Sequence, residues 1–193
     1  QYLPLLHKLK RAAPNYSKEE FIASPGGFVM SSVPGLYKNV LVFDFKSLYP
    51  SIIRTFLVDP LARVSQSTQR VEGFIGASYS KETSILPNLI TELANAREDA
   101  KAHNNDILSY AIKIIMNSFY GVLGSNVCRF YHPELASSIT MRGHQILNLT
   151  RSWFEEAGER VIYGDTDSLF VTLSDSALSD QAVKEKGQDL CLM

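Results

Sequence analysis

Three carboxylates stand where hydrophobic runs end. Asp44 closes the run Asn39-Val40-Leu41-Val42-Phe43, and Asp165 and Asp167 sit two apart between Val161-Ile162-Tyr163 and Leu169-Phe170-Val171. A lone Gly-Asp-Thr-Asp is compatible with an ordinary turn, in which Asp and Gly satisfy the backbone locally. Asp44 adds an acid at the end of another apolar strand, and pairing of these strands in one sheet would make all three side chains converge. Like charges that close need a cation to stay ionised, and carboxylate, carbonyl and water oxygens are what Mg2+ takes as ligands. The pattern predicts a divalent-metal site, and the apolar flanks predict that its acids are buried.

A second constellation is basic. Lys113, Asn117, Tyr120 or Gly121, and Gly124 recur at helical spacing, one polar stripe on an otherwise apolar segment. Arg97 and Lys101 are four apart on the preceding segment, and Arg97 lies about as far before the intervening turn as Lys113 lies after it. Side by side in an antiparallel pair, a guanidinium and an ammonium repel each other unless a multiply charged anion such as a triphosphate sits between them. The alternative is a solvated face, with Glu98 and Asp99 neutralising Arg97 and Lys101 locally.

Positioning these residues requires a definite set of elements. The β-branched and aromatic run at 39–45 predicts a strand, and residues 46–57 a turn into a helix whose first turn tolerates Pro50. Ser65 to Thr68 read as a polar loop. Leu86, Leu89, Ile90, Leu93 and Ala94 give a helix from Ser84 to about His103, with Pro87 in its first turn. Another spans Ile107 to Gly121 with Asp106 as its N-cap, and the short turn at 103–106 makes the two an antiparallel hairpin. Pro133 opens a long helix over 134–157 that Gly158 ends, and 160–172 read as two strands folded back at Gly164-Asp165-Thr166-Asp167. Clusters of Pro and Gly make the first 36 residues an irregular lead-in. His7, His103, His132 and His144 lack ligand spacing and read as structural or surface residues.

Composition bounds the rest. With 193 residues and 45% hydrophobic content the chain can build a core, which excludes disorder. A net charge of −1 gives no sign of a polyanion partner, so any phosphate site must be a local cluster of Lys and Arg. Cys128 and Cys191 are too few for a disulfide framework or a zinc cage, which suits a soluble, reducing setting. No apolar run approaches the roughly 20 residues that span a bilayer, so no membrane partner is expected. A first residue that is not Met, no leader, and an abrupt end at Asp189-Leu190-Cys191-Leu192-Met193 predict a fragment of a longer chain.

Taken together, three segments resemble the family B DNA polymerases, and the resemblance covers nearly the whole chain. Asp44-Phe45-Lys46-Ser47-Leu48-Tyr49-Pro50-Ser51 is similar to that family's motif A, Lys113-Ile114-Ile115-Met116-Asn117-Ser118-Phe119-Tyr120-Gly121 to motif B, and Tyr163-Gly164-Asp165-Thr166-Asp167-Ser168 to motif C. The stretches Ser51 to Leu57 and Ser137 to Ile146 resemble the bacterial DNA polymerase II branch. Where many members carry Tyr-x-Gly-Gly ahead of motif A, this chain has Ser24-Pro25-Gly26-Gly27.

The resemblance implies an α+β fold: an antiparallel palm sheet flanked by helices and interrupted by an antiparallel helical-hairpin fingers subdomain. Residues 1–83 would be the first part of the palm, 84–124 the fingers, and 125–193 the second part of the palm, truncated before the thumb. The implied reaction is template-directed transfer of deoxynucleotides from dNTP to a primer 3′-hydroxyl, with release of pyrophosphate, in DNA replication or repair. Two Mg2+ ions, replaceable by Mn2+, would be held by Asp44, the Phe45 carbonyl, Asp165 and Asp167. The catalytic set would be Asp44, Asp165, Asp167 and Lys113. Nucleotide would be bound by Ser47, Leu48, Tyr49, Arg97, Lys101, Lys113, Asn117, Tyr120 and Gly121, with Tyr49 as the sugar gate. Implied partners are primer-template DNA, dNTPs, the exonuclease and thumb domains of the longer chain, and a sliding clamp, in a cytoplasmic, nucleoid setting. The rival readings are an inactive core or primer-template or nucleotide-binding module, and a D-x-D sugar-nucleotide transferase.

Overall fold

The computed structural model describes residues 1–15 and 22–193. In chain order the elements are α1 (Tyr2–Lys8), β1 (Val40–Asp44), α2 (Leu48–Thr55), α3 (Pro60–Val64), β2 (Arg70–Glu72), β3 (Ser78–Ser80), α4 (Leu86–Ala102), α5 (Asp106–Leu123), α6 (Pro133–Glu156), β4 (Arg160–Asp165), β5 (Ser168–Thr172) and α7 (Asp180–Cys191). The fold class is the expected α+β with antiparallel sheets. Two compact units form, one from residues 1–25 and 47–142, the other from 26–46 and 143–193. Among the described residues no helix is long and apolar enough to cross a membrane.

In the first unit α4 and α5 pack against each other as a hairpin, and α2 packs on both. Ile52, Ile53, Leu86, Ile90, Leu135 and Ile139 are among its buried side chains. The N-cap of α5 is Asn105, not Asp106: the Asn105 side chain accepts a hydrogen bond from the Leu108 amide at 3.1 Å, which leaves Asp106 in the first helical turn. At the start of α4 the capping group comes from elsewhere. The fully buried Asp59 carboxylate accepts from the Ile85 amide at 3.1 Å and the Leu86 amide at 2.7 Å, and also from the Ala62 amide of α3 at 2.8 Å. One acid thus satisfies orphan donors of two helices.

The expected irregular lead-in contains α1, whose Tyr2 hydroxyl donates to Asp59 and whose Leu6 packs with Leu61 and Ile85. A hairpin of β2 and β3, paired Arg70↔Ser80, Val71↔Tyr79 and Glu72↔Ser78, also lies where the sequence carries no clear strand signal. It is tied down by Arg70, whose guanidinium donates to the carbonyls of Ala62 and Arg63 at 3.2 and 2.9 Å.

The second unit is a three-stranded antiparallel sheet in the order β1-β5-β4, backed by the later half of α6 and by α7. Leu147, Phe154, Val161, Leu169, Val171, Leu173 and Leu190 are buried in one cluster, with Leu41 and Phe43 packed against it. Alternation along β1 therefore turns Leu41 and Phe43 inward and leaves Val40, Val42 and Asp44 on the other face. Gly158, at φ +84°, follows α6 in the left-handed conformation that ends helices.

Candidate active site

The acids are placed by strand register within the second unit. Pairing of β1 with β5 sets Asp44 opposite Ser168, and pairing of β4 with β5 sets Asp165 opposite the same Ser168. Residues directly opposite in paired strands share a face, so Asp44 and Asp165 flank Ser168 on one side of the sheet, together with Val42 and Phe170 and away from the apolar cluster. Asp167 lies in the two-residue turn between β4 and β5, and its carbonyl accepts a hydrogen bond from the Phe45 amide at 2.8 Å. The chain immediately after Asp44 is thereby bonded to the β4–β5 hairpin that carries the other two acids.

One expectation needs correction. Asp44 is exposed and Asp165 and Asp167 are half-buried, because the sheet spends its inward positions on Leu169 and Val171 and leaves the acids on the open face. Among the described residues no group of three His, Cys, Asp or Glu side chains stands in metal-holding geometry, so the three carboxylates do not form a closed protein cage. The donor set still fits Mg2+, which is commonly held by one or two carboxylates and completes its shell with water and substrate phosphates. Two carboxylates flanking one serine on an accessible face, next to main-chain carbonyls, suit that mode.

The turn itself is tightly built. Thr166 has φ +51°, left-handed for a β-branched residue, and the Asp167 amide donates to the Asp165 carbonyl at 2.6 Å. Residues 28–33 run alongside β4: the Thr166 amide donates to the Phe28 carbonyl at 2.7 Å, the Met30 amide to the Gly164 carbonyl at 2.8 Å, and the Val33 amide to the Ile162 carbonyl at 2.9 Å. Close approach explains Gly27, since a Cβ there would lie 2.5 Å from Thr166 Oγ1. The Thr166 hydroxyl in turn donates to Asp165 Oδ1 at 2.9 Å. None of Thr166, Ser168 or Phe28 stands out in the sequence as a site residue; the Gly26-Gly27 pair is the one visible trace of this contact.

In the first unit the basic set is carried by α4 and α5. Lys113, Asn117 and Gly121 are exposed on α5, and no heavy atom lies within 4 Å of where a Gly121 Cβ would be. Arg97 on α4 is half-buried, and its Nε is buried without a hydrogen-bond partner. Lys101 forms an ion pair with Glu98 at 3.0 Å, the local neutralisation that a solvated face would show. Tyr49 on α2 packs its ring against Tyr120 on α5, centroids 4.7 Å apart. Ser47 precedes α2 in a left-handed conformation, φ +55°, and its side chain makes no capping hydrogen bond to the helix.

The comparisons with known proteins bear on the chain as a whole. The model of DNA polymerase family B matches residues 2–186. DNA polymerase II of Escherichia coli (strain K12) is 52% identical over 188 residues, covering 95% of this chain and 24% of that protein. DNA polymerase 1 of Pyrococcus abyssi is 34% identical over 175 residues, covering 83% of this chain and 22% of the relative. The solved structure of the family B DNA polymerase from the archaeon Pyrobaculum calidifontis superposes with a TM-score of 0.70 at 27% identity, covering 97% of this chain and 27% of the other. The chain spans about a quarter of the length of these relatives. Since the family model takes in both the acidic turn and the basic hairpin within one continuous match, the chain belongs to the family B DNA polymerases.

Proposed function

We propose that this chain is the palm and fingers portion of a DNA-directed DNA polymerase, with palm residues in 1–83 and 125–193 and fingers in 84–124. It would transfer deoxynucleotides from dNTP to a primer 3′-hydroxyl, directed by a template strand. The observation that carries the reading is the sheet register that sets Asp44 and Asp165 on either side of Ser168, with Asp167 bonded through its carbonyl to Phe45. That is the arrangement expected of acids brought from two distant motifs to one reacting centre.

Asp44, Asp167 and the Phe45 carbonyl would hold two divalent ions, with Asp165 in support. When bound, Mg2+ (or Mn2+ in its place) lowers the pKa of the attacking hydroxyl and neutralises triphosphate charge. The remaining work falls to the chain's own groups. Lys113 places its ammonium at the α-phosphate and gives a proton to the departing pyrophosphate, while Arg97 and Lys101 hold the γ-phosphate end. Asn117 orients that face of α5. The amides of Ser47, Leu48 and Tyr49 donate to triphosphate oxygens, as amides at such turns and helix starts readily do. Tyr49 lies under the sugar and excludes a 2′-hydroxyl, and Tyr120 with Gly121 shapes the pocket for the new base pair. Primer-template DNA is the second substrate, with exonuclease and thumb functions supplied by the rest of a longer protein and a sliding clamp as a candidate partner.

The test is primer extension with Mg2+ and all four dNTPs, with Asp44→Ala and Asp167→Ala alongside, and Mn2+-dependent dNTP binding measured on the same preparations. Extension by the parent chain and its loss in both variants is the expected result. Metal-dependent dNTP binding without extension would favour the nucleotide-binding module, which the quarter-length match makes the second reading. Extension that survives both substitutions would remove the site.

A further inference from the structure

We propose that His144 is a positioning residue for the acidic turn, acting through the Gly26–Phe28 segment and Thr166 on the Asp165 carboxylate. His144 sits on α6 and is half-buried. Its Nε2 lies 2.8 Å from the Gly26 carbonyl oxygen, which can only accept, so Nε2 carries the proton. The imidazole ring also packs against Phe28, centroids 5.3 Å apart. His144 therefore grips both ends of the segment 26–28, and two residues of that segment, Gly27 and Phe28, touch Thr166. Gly27 abuts Thr166 Oγ1, and the Phe28 carbonyl accepts the Thr166 amide at 2.7 Å.

Thr166 is where this grip has consequences. Its backbone is left-handed, a conformation a β-branched residue holds only when its surroundings impose it. The Phe28 carbonyl and the Gly27 backbone impose it here, and the hydroxyl held in this way donates to Asp165 Oδ1 at 2.9 Å. That bond fixes one oxygen of the carboxylate and thereby its orientation. Protonation of His144 at Nδ1 would leave the Nε2–H donor in place, so the device is a fixed brace. Each of these contacts, from His144 to Asp165, lies within the second unit. The geometric claim stands on these contacts alone; the consequence for metal binding rests on the polymerase reading.

Two variants of the full chain separate the brace from simple packing. His144→Phe keeps a ring against Phe28 and loses the donor, whereas His144→Gln keeps a donor. Amide hydrogen exchange is the first readout. His144→Phe should speed exchange of the Thr166 amide about fivefold or more, as expected for loss of one supporting hydrogen bond, with the Val171 amide in β5 unchanged and His144→Gln close to the parent. Titration with Mn2+ is the second. Affinity should fall in His144→Phe, and that substitution should add no further loss in an Asp165→Asn background, since its effect runs through that carboxylate. Equal Thr166 exchange in His144→Phe and the parent would overturn the proposal, as would an undiminished effect on Mn2+ affinity in Asp165→Asn. If His144→Phe does not fold, the tautomer in the parent chain decides, by 15N chemical shifts of the imidazole: a neutral ring protonated at Nδ1 overturns the brace, and one protonated at Nε2 supports it. A parent chain that binds no Mn2+ would count against the metal reading above, while the exchange result would still decide His144.

Discussion

Ser168 shows how single residues make remote acids neighbours. Every position of β5 is paired on both sides, and Ser168 is the one whose two partners are acids, Asp44 in β1 and Asp165 in β4, so a one-residue slip in either ladder would send an acid to the opposite face. On the proposed mechanism, Asp44→Asn and Asp167→Asn should each lower the single-turnover rate of extension at least about a hundredfold, with Asp165→Asn the milder change because it supports rather than bridges. Comparable losses at all three would assign Asp165 an equal share. Tyr49 carries a different kind of expectation. Its ring rests on Tyr120, and on the proposed mechanism removing it would open space beneath the sugar. Tyr49→Ala should raise ribonucleotide use relative to deoxynucleotide by about tenfold or more, and Tyr49→Phe should not. An unchanged preference in Tyr49→Ala would reassign the residue to packing alone.

At the scale of elements the decisive group is Asp59, which the proposed chemistry does not use. Its carboxylate holds the first amides of α4, the helix that carries Arg97, as well as α3 and the Tyr2 hydroxyl of α1. Asp59→Ala leaves buried donors of two helices unsatisfied and should cost about 3 kcal/mol in urea unfolding. Burial raises the Asp59 pKa above the ordinary carboxylate value, outweighing the amides of Leu86, Ala62 and Ile85 and the Tyr2 hydroxyl, which pull it down. The folded chain therefore binds that proton more readily than the unfolded one. Its contribution to stability is complete below the unfolded pKa of about 3.9 and is lost as pH rises through the higher folded value. Asp59→Asn has no such proton to lose, so its stability deficit relative to the parent should narrow as pH rises from about 4 to 7. A deficit that widens over that range would mean the hydrogen bonds to the ionised carboxylate outweigh its desolvation. Residues such as Asp59 also mark the limit of what a sequence makes legible. The long helices α4, α5 and α6 and the β4–β5 hairpin announce themselves through sustained periodicity and Pro or Gly at their ends. By contrast α1, α3 and the β2–β3 hairpin are short and are held by Asp59, Tyr2 and Arg70 across the chain. The motif residues are readable for the same reason as the long elements; Ser168, Thr166 and His144 matter only through pairings that register creates.

For the whole molecule, family membership removes the sugar-nucleotide transferase reading, which needs neither a motif A segment nor a basic hairpin. It leaves a fold whose apolar cores owe nothing to metal ligation. The buried cluster around Leu147, Leu169 and Val171 is closed by side chains alone, and among the described residues no three candidate ligands form a cage. An ion that completes its shell with substrate phosphates should add little stability without the nucleotide. Chelation with EDTA should therefore shift the Tm of the unliganded chain by no more than about 1–2 °C, the size expected for a site filled near its Kd. The same treatment should abolish dNTP binding, and Mg2+ with dNTP together should raise Tm by more than either alone. A large fall in Tm on chelation without nucleotide would instead identify a structural metal, and would require the acids on the open face of the sheet to be ligands of that ion before they are anything else.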